Sequence, residues 1–534
     1  FQELRQRLLA LGHTFRTDGD GEVLVHGYEE WGDDVARHVE GMFAFILVDR
    51  RRRRVIVARD RFGIKPLFWS RAAGAFVFAS ELKGLLVHPA VERVADTTAL
   101  VLGRVRHHVP WPLTAFHGVF RLPPGALLQI DSAGHRLVRF ASMALPPDED
   151  SRPRRSENIV EEAGIALESA VRRQLIADVP VGAFLSGGID STLLVTMMTR
   201  LAAHPVHTFS IRTSRRDNES NIAAETARRL GTVHHTIDFS DRMTVDAVAS
   251  LPTLCDEPFA ETSILGVQML SRAARQEVKV ALSGDGGDEV FGGYDTYRVV
   301  EWTSRATAWL PSAATELVRT NAERLLSSAA WPDRLRQLLS LLALAGLDAA
   351  SAHRRLGSTA SADAPVLSEF SRRLSARVDA LAAPAGAGES FLRQAMATDR
   401  VERLTDAMLP KVDLASMSAS LEVRVPMLDD ALVRFANRLS DPQLASLRWG
   451  KLILRQLLDK LLPDGPAWMG KRGFSLPLDV WMRSPSARAQ LEQVFVDAEP
   501  LLARLGQPSV LRRWRAFASG QRLQLSAGSA AKEL

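Results

Sequence analysis

Two patterns of apolar and polar positions divide the chain. Up to about Phe140, apolar residues come in short alternating runs separated by turn residues, and residues 43–48, 55–59, 67–70 and 76–79 predict β-strands. Val109-Pro-Trp-Pro112 and Leu122-Pro-Pro-Gly125 mark proline-stiffened, irregular chain. Residues 1–12 read as a helix, and the polar stretch 146–153 predicts a linker. From Ser156 the period changes: Ile159, Val160, Ala163, Ala166, Leu167, Ala170 and Val171 recur at helical spacing. A strand at 181–185, a glycine loop, a helix at 192–201, a strand at 206–211, a helix at 221–230 and strands at 235–239 and 278–282 follow. Alternating strands and helices predict a parallel α/β sheet with ligands at the carboxyl ends of its strands. Beyond Tyr297 the pattern predicts almost continuous helix. Residues 351–388 read as partly mobile and the chain from Ser526 as a disordered tail.

Composition narrows the class. The 534 residues exceed what one hydrophobic core serves, so two or more domains are expected. The nearest approach to an apolar run, residues 338–347, is short and broken by Ser340 and Gly346, so no membrane segment is expected. Glu3, Arg5 and Arg7 exclude a secretory signal at the start, and the expected location is the cytoplasm. A net charge of +5, from 67 basic and 62 acidic residues, excludes a charge-driven nucleic-acid binder. The basic run Arg50 to Arg54 lies between two apolar runs and reads as the solvated tip of a β-hairpin. The one cysteine, Cys255, permits no disulfide within the chain and reads as a small buried hydrophobe.

Two glycine-rich stretches carry the chemistry. In Phe184-Leu-Ser-Gly-Gly-Ile-Asp-Ser-Thr192 a strand ends, Ser186, Gly187 and Gly188 turn the chain, and a helix starts near Asp190. Such a loop brings backbone N–H groups and a helix N-terminus to phosphate oxygens, and Ser186 and Ser191 add hydroxyl donors. Asp190 cannot attract an anion itself; a phosphate-bridging Mg²⁺ is its natural partner. No lysine follows the glycines where a Walker loop needs one. The loop resembles that of the ATP pyrophosphatases, which include asparagine, GMP, NAD and argininosuccinate synthetases and tRNA-modifying enzymes. By itself it does not choose among them. Ser283-Gly-Asp-Gly-Gly-Asp-Glu-Val-Phe-Gly-Gly-Tyr294 places Asp285, Asp288 and Glu289 on one turn. Three carboxylates beside a triphosphate repel it unless metal or cationic groups intervene.

With both stretches in this order, the chain resembles the glutamine-hydrolysing asparagine synthetase family along nearly its whole length. Thr208 to Ile211, Gly231 to His235, Asp256 to Ala260, Lys411 to Met417, Ser420 to Asp429, Gly450-Lys451 with Arg455, and Lys471 to Ser475 carry the likeness further. The resemblance implies that Leu185, Ile211, Ser283 and Gly284 line the adenosine of ATP. It gives Asp190 and Asp288 to Mg²⁺ and the leaving pyrophosphate. It also implies that Asp285 serves formation and ammonia attack of a β-aspartyl-AMP intermediate, and that Lys451 neutralises the phosphates. The chemistry is consistent: a carboxylate becomes an acyl donor only once adenylated, and placed cations stabilise the charge that develops. Lys411 and Arg424 fit either substrate contacts or buried pairs. His234 and His235 read as polar loop residues, since no third metal ligand is evident.

The amino-terminal part is similar to class II glutamine amidotransferases at Phe1 to Arg5, Gly19 to Val23, Gly41 to Phe45 and Ala58 to Pro66. Asp20 matches the acid that binds the glutamine amino group, although glycines flank it where the family has Ser-Asp-Thr-Glu. The family's amino-terminal cysteine nucleophile, its glutamine-holding arginine and its oxyanion-stabilising Asn-Gly have no counterpart in the sequence, which starts at Phe1. A truncated record is the expectation, and the polypeptide as given is expected not to hydrolyse glutamine.

The implied architecture is a mixture of α/β and α+β in two domains. Residues 1–140 form a partial, β-rich glutaminase domain of the N-terminal-nucleophile type, and 141–155 a linker. Residues 156–525 form a Rossmann-like ATP-pyrophosphatase synthetase domain with a mostly helical end, and 526–534 the tail. The implied reactants are aspartate, ATP and glutamine or ammonia; nucleic acid and membrane are not expected, and a homodimer stays open. Three other readings compete. An adenylating cyclase of the β-lactam synthetase or lasso-peptide type uses another carboxylate. A tRNA-modifying pyrophosphatase needs a basic face and a cysteine pair that the sequence lacks. A non-catalytic binding protein has no reason to keep Asp190, Asp285 and Asp288.

Overall fold

The computed structural model describes residues 1–143, 145, 158–213, 218–238, 241–307, 309–328, 333–357, 390–470, 481–482, 484–504 and 510–519. The expected linker at 146–153, most of the stretch 351–388, the motif at 471–475 and the tail from 526 lie outside the described residues. Two compact units are present: Phe1–Asp96 with Trp111–Leu145, and Thr97–Pro110 with the chain from Pro146. Among the described residues no helix is long and apolar enough to cross a membrane.

The first unit contains two antiparallel sheets. One has the order β1-β2-β6-β7, from Ala44–Asp49, Arg54–Arg59, Ala126–Asp131 and Gly134–Arg139. The other, β4-β3-β5, joins Ala75–Ala79, Phe68–Ala72 and Val119–Arg121. Alternation places Ile56 and Ala58 in one apolar layer, with Tyr28 and Val35. Val57 faces a second layer with Leu67, Leu122 and Leu128. The β1–β2 hairpin pairs Asp49 with Arg54, so the basic run is its tip, as expected. Asp49 Oδ1 accepts the Arg51 and Arg52 N–H groups there, at 3.0 and 2.9 Å. The opening helix spans Gln2–Ala10.

In the second unit five strands lie parallel in the order β10-β9-β8-β11-β12. They are Val181–Phe184 (β8), His207–Arg212 (β9), Val233–Asp238 (β10), Val280–Leu282 (β11) and Glu422–Arg424 (β12). The order runs outward from β8 on one side and from β11 on the other, so a crevice opens between their carboxyl ends. The helix Ile189–Leu201 after β8 is buried from Ser191 to Met198 without interruption, as a helix covered on all sides must be. Ile159–Gln174 instead buries one stripe, Ala163, Leu167, Ala170 and Val171.

Three expectations need correction. The helix predicted at 221 begins three residues earlier, at Asn218, and the one after the glycine loop begins at Ile189, beside Asp190 as the loop motif predicts and not at 192 as the apolar period does. The region beyond Tyr297 is not wholly helical: three residues of β12 complete the sheet beside β11, a run too short to show a period. His234 and His235 lie in β10, not in a loop. Nor does local pattern reveal that Thr97–Pro110 joins the second unit, where Arg106 pairs with Glu402 at 3.3 Å and His108 bridges to Phe259.

Candidate active site

The two glycine-rich loops stand side by side because β8 and β11 are neighbours. Gly187 adopts φ +74°, and a Cβ there would lie 3.0 Å from Glu219 O, so the turn admits only glycine without strain. Ser191 Oγ holds the loop by accepting the Ser186 N–H at 3.2 Å and donating to Gly188 O at 3.2 Å. Gly284 and Gly287 press against Asp190; a Cβ on either would come within 2.8 or 2.7 Å of its side chain. The glycines of the second loop therefore set the place of the first loop's carboxylate.

A third segment closes the site from far along the chain. Lys451 is buried (5% exposed) and lies at the N-cap of Leu452–Leu461 with φ +55°. Its ammonium donates to Asp190 Oδ2 and lies 2.7 Å from Asp288 Oδ1. Burial works to lower the Lys451 pKa, but the two carboxylates outweigh it and hold it above the ordinary lysine value. Gly450 packs on the backbone of Gly292 and Gly293, leaving no room for a side chain. Arg455 fixes the turn from below, donating to Gly450 O at 2.8 Å and lying 4.5 Å from the Trp449 ring.

Asp285 projects from the same loop. It accepts a hydrogen bond from Ser283 Oγ and lies 3.4 Å from Lys411 Nζ. Lys411 is buried, and its ammonium also approaches the Met408 sulfur, at 3.7 Å. Arg424 bonds Glu422 at 2.7 Å and the Gln174 and Ile176 carbonyls at 2.7 and 2.8 Å, an arrangement that ties β12 to the end of the distant helix Ile159–Gln174. Leu185, Ile211 and Ser283 are buried at strand ends beside these loops, Leu185 N–H bonding Phe209 O and Ser283 N–H bonding Arg424 O, each at 2.9 Å. Asp20 belongs to the first unit, exposed at the N-cap of Gly21–Trp31.

Glu289, grouped with the other carboxylates in the sequence, turns away from them. It is buried (1% exposed) and accepts the Tyr294 hydroxyl at 2.8 Å. Burial, then the charges of Asp288 and Asp399, push its pKa up to about 7. Behind it, Tyr297 donates to Asp399 Oδ2 and His353 Nε2 meets Asp399 Oδ1, both at 2.8 Å. The Arg403 guanidinium lies 4.6 Å from the Tyr294 ring centre, in a π-helical segment, Arg400–Met408. Sequence reasoning missed this second cluster, in which the hydrogen-bonded Tyr297 and Asp399 alone are 102 positions apart.

Two histidine clusters lie elsewhere. His207 Nδ1 and His235 Nε2 are 3.1 Å apart with rings inclined by 12°, and Glu277 lies 4.0 Å from His207 Nδ1, so the sequence reading that no third ligand accompanies His235 is corrected. His234 is held between Thr208 Oγ1 and Ser210 Oγ at 2.9 and 3.0 Å. In the first unit His13, His26 and Glu29 gather at the surface.

Comparison with known proteins gives two family matches. Residues 162–527 match the asparagine synthase model and residues 1–141 the glutamine amidotransferase domain model. A Mycobacterium tuberculosis protein assigned to the glutamine-hydrolysing asparagine synthetases is 33% identical over 503 residues, covering 91% of this chain and 74% of its own. Bacillus subtilis glutamine-hydrolysing asparagine synthetase 3 is 28% identical over 481 residues, covering 87% and 72%. Asparagine synthetase 1 of the same organism is 29% identical over 489 residues, covering 90% and 75%.

Proposed function

Because the chain belongs to the asparagine synthase family, we propose that it is an ATP-dependent amide ligase converting aspartate to asparagine through β-aspartyl-AMP, with ammonia from glutamine in the full-length protein. The observation that carries this reading is the meeting of Asp190, Asp288 and Lys451 at the carboxyl ends of β8 and β11. The N-terminal-nucleophile-type and Rossmann-like assignments of the two domains, and the boundaries 1–140 and 156–525, are part of the same reading.

ATP is the substrate that the family uses, and in this reading its adenosine lies against Leu185, Ile211, Ser283 and Gly284. Its phosphates follow the turn at Ser186, Gly187, Gly188 and Ser191. The loop N–H groups and the start of Ile189–Leu201 supply the positive potential. Asp190 and Asp288 offer hard oxygen donors, the set magnesium takes, and an ammonium already lies between them. Mg²⁺ held there would neutralise the departing pyrophosphate. Lys451 steadies the α-phosphate as the aspartate carboxylate attacks and pyrophosphate leaves. Asp285 lies where a base can accept the proton that ammonia loses on attacking the acyl-adenylate. Asp20 would hold the amino group of glutamine in the other domain.

The test is product analysis by mass spectrometry with ATP, Mg²⁺, aspartate and ammonium. Asparagine and AMP in equal amounts are expected. No aspartate-dependent AMP would sink the aspartate assignment and leave a larger carboxylate as the acceptor.

A further inference from the structure

The Asp190–Lys451–Asp288 bridge has a property that the proposed reaction does not require. The ammonium sits on the oxygens that this reading gives to the metal. Its backbone cannot retreat: Gly450 is packed on Gly292 and Gly293, and Arg455 grips the Gly450, Ala467 and Met469 carbonyls. The four-carbon stem, with its rotatable bonds, is the part of the lysine that these backbone contacts do not hold.

Resting on the nucleotide-site reading, we infer that Lys451 is the resident counter-ion of this carboxylate pair and that a divalent cation is admitted only together with the nucleotide. A dication arriving alone meets a buried ammonium on its donor oxygens, and like charges at such short range repel strongly in a poorly solvated site. A nucleotide changes the balance. Its phosphates offer the ammonium new acceptors, the stem swings to them, and Asp190 and Asp288 are released to the metal. Without nucleotide the same bridge keeps two neighbouring carboxylates from being buried uncompensated. Lys451 thus acts as a positioning residue before any chemistry begins.

Mn²⁺ binding followed by electron paramagnetic resonance, on the whole chain, tests this without reading activity. The wild type is expected to take up Mn²⁺ with α,β-methylene-ATP and not with Mn²⁺ alone. Lys451→Met is expected to bind Mn²⁺ alone at least about tenfold more tightly than the wild type. Adding Asp288→Asn to that variant should abolish the gain. Mn²⁺ without nucleotide should also raise the melting temperature of Lys451→Met by several degrees, and that of the wild type by less than about one degree. Equal Mn²⁺ binding by the wild type and Lys451→Met, whether both bind or neither does, overturns the inference while leaving the nucleotide site standing. Failure of the wild type to bind Mn²⁺ with the analogue overturns the nucleotide reading and this inference together. Should Lys451→Met not fold, the wild type decides: uptake of Mn²⁺ without nucleotide refutes the gate, and uptake with the analogue alone supports it.

Discussion

Asp288 and Glu289 are consecutive residues on one turn, yet they serve two clusters of opposite character. Asp288 keeps 24% of its side-chain surface in solvent and faces Lys451, whose ammonium also bridges to Asp190. Glu289 is enclosed and faces Tyr294, with Tyr297, Asp399, His353 and Arg403 behind it. In the front cluster every partner is one that a ligand can replace. In the rear cluster Tyr297, His353, Asp399 and Arg403 come from helical segments whose packing they join. Charge concentrated on a glycine turn therefore has two uses here, one exchangeable and one permanent.

The sharpest way to break this distinction is Asp190→Asn. Formation of AMP is expected to fall at least about a thousandfold, since a charge-stabilising group is lost where phosphate charge develops. The melting temperature should change little, and an unchanged rate would remove the front cluster's role. Asp399→Asn should do the reverse. Leaving His353 and Arg403 short of a buried partner is expected to cost about 3–5 kcal/mol in urea unfolding. The rate per folded molecule should stay within about twofold.

Glu289→Gln sharpens the rear side through pH. Burial raises the Glu289 pKa to about 7 from 4.5, so the folded protein holds a proton that the unfolded chain releases near 4.5. The associated stability is fully present below pH 4.5 and is lost as pH rises through 7, on the order of 3 kcal/mol in all. Unfolding free energies measured from pH 5 to 8 should fall less steeply in the glutamine variant. A parallel profile would mean that Glu289 is already ionised. The smallest effect separates two steps within the front. Asp285→Asn should slow amide formation about a hundredfold, as loss of a general base does, while ATP affinity measured by calorimetry is retained. Equal loss of both would make Asp285 part of the nucleotide cradle instead.

The front cluster was legible in the sequence for a physical reason. Glycines that must pass close to other groups, and carboxylates that would otherwise repel, are rare enough together to mark Asp190, Asp285 and Asp288 directly. Lys451 came forward only through the family resemblance, and its bridge to both aspartates was not legible, because Asp190 is 261 positions away. The parallel sheet followed from alternating periods, whereas β12 escaped because three residues carry no period. The rear cluster left no local trace. Asp399 and His353 sit on helices rich in charge, where nothing in the spacing says which charges face inward. Lys411, compatible with two roles in the sequence, proves to be buried beside Asp285.

The distance between Asp190 and Lys451 also bears on how the protein is made. The carboxylate leaves the ribosome 261 residues ahead of its ammonium partner. At about 5–20 residues per second, the interval is roughly 10–50 s. Throughout that time the nascent sheet carries Asp190, and later Asp288, without the cation that the finished chain supplies. The pair is therefore compensated by the chain itself only once the turn before Leu452–Leu461 has been made and has docked.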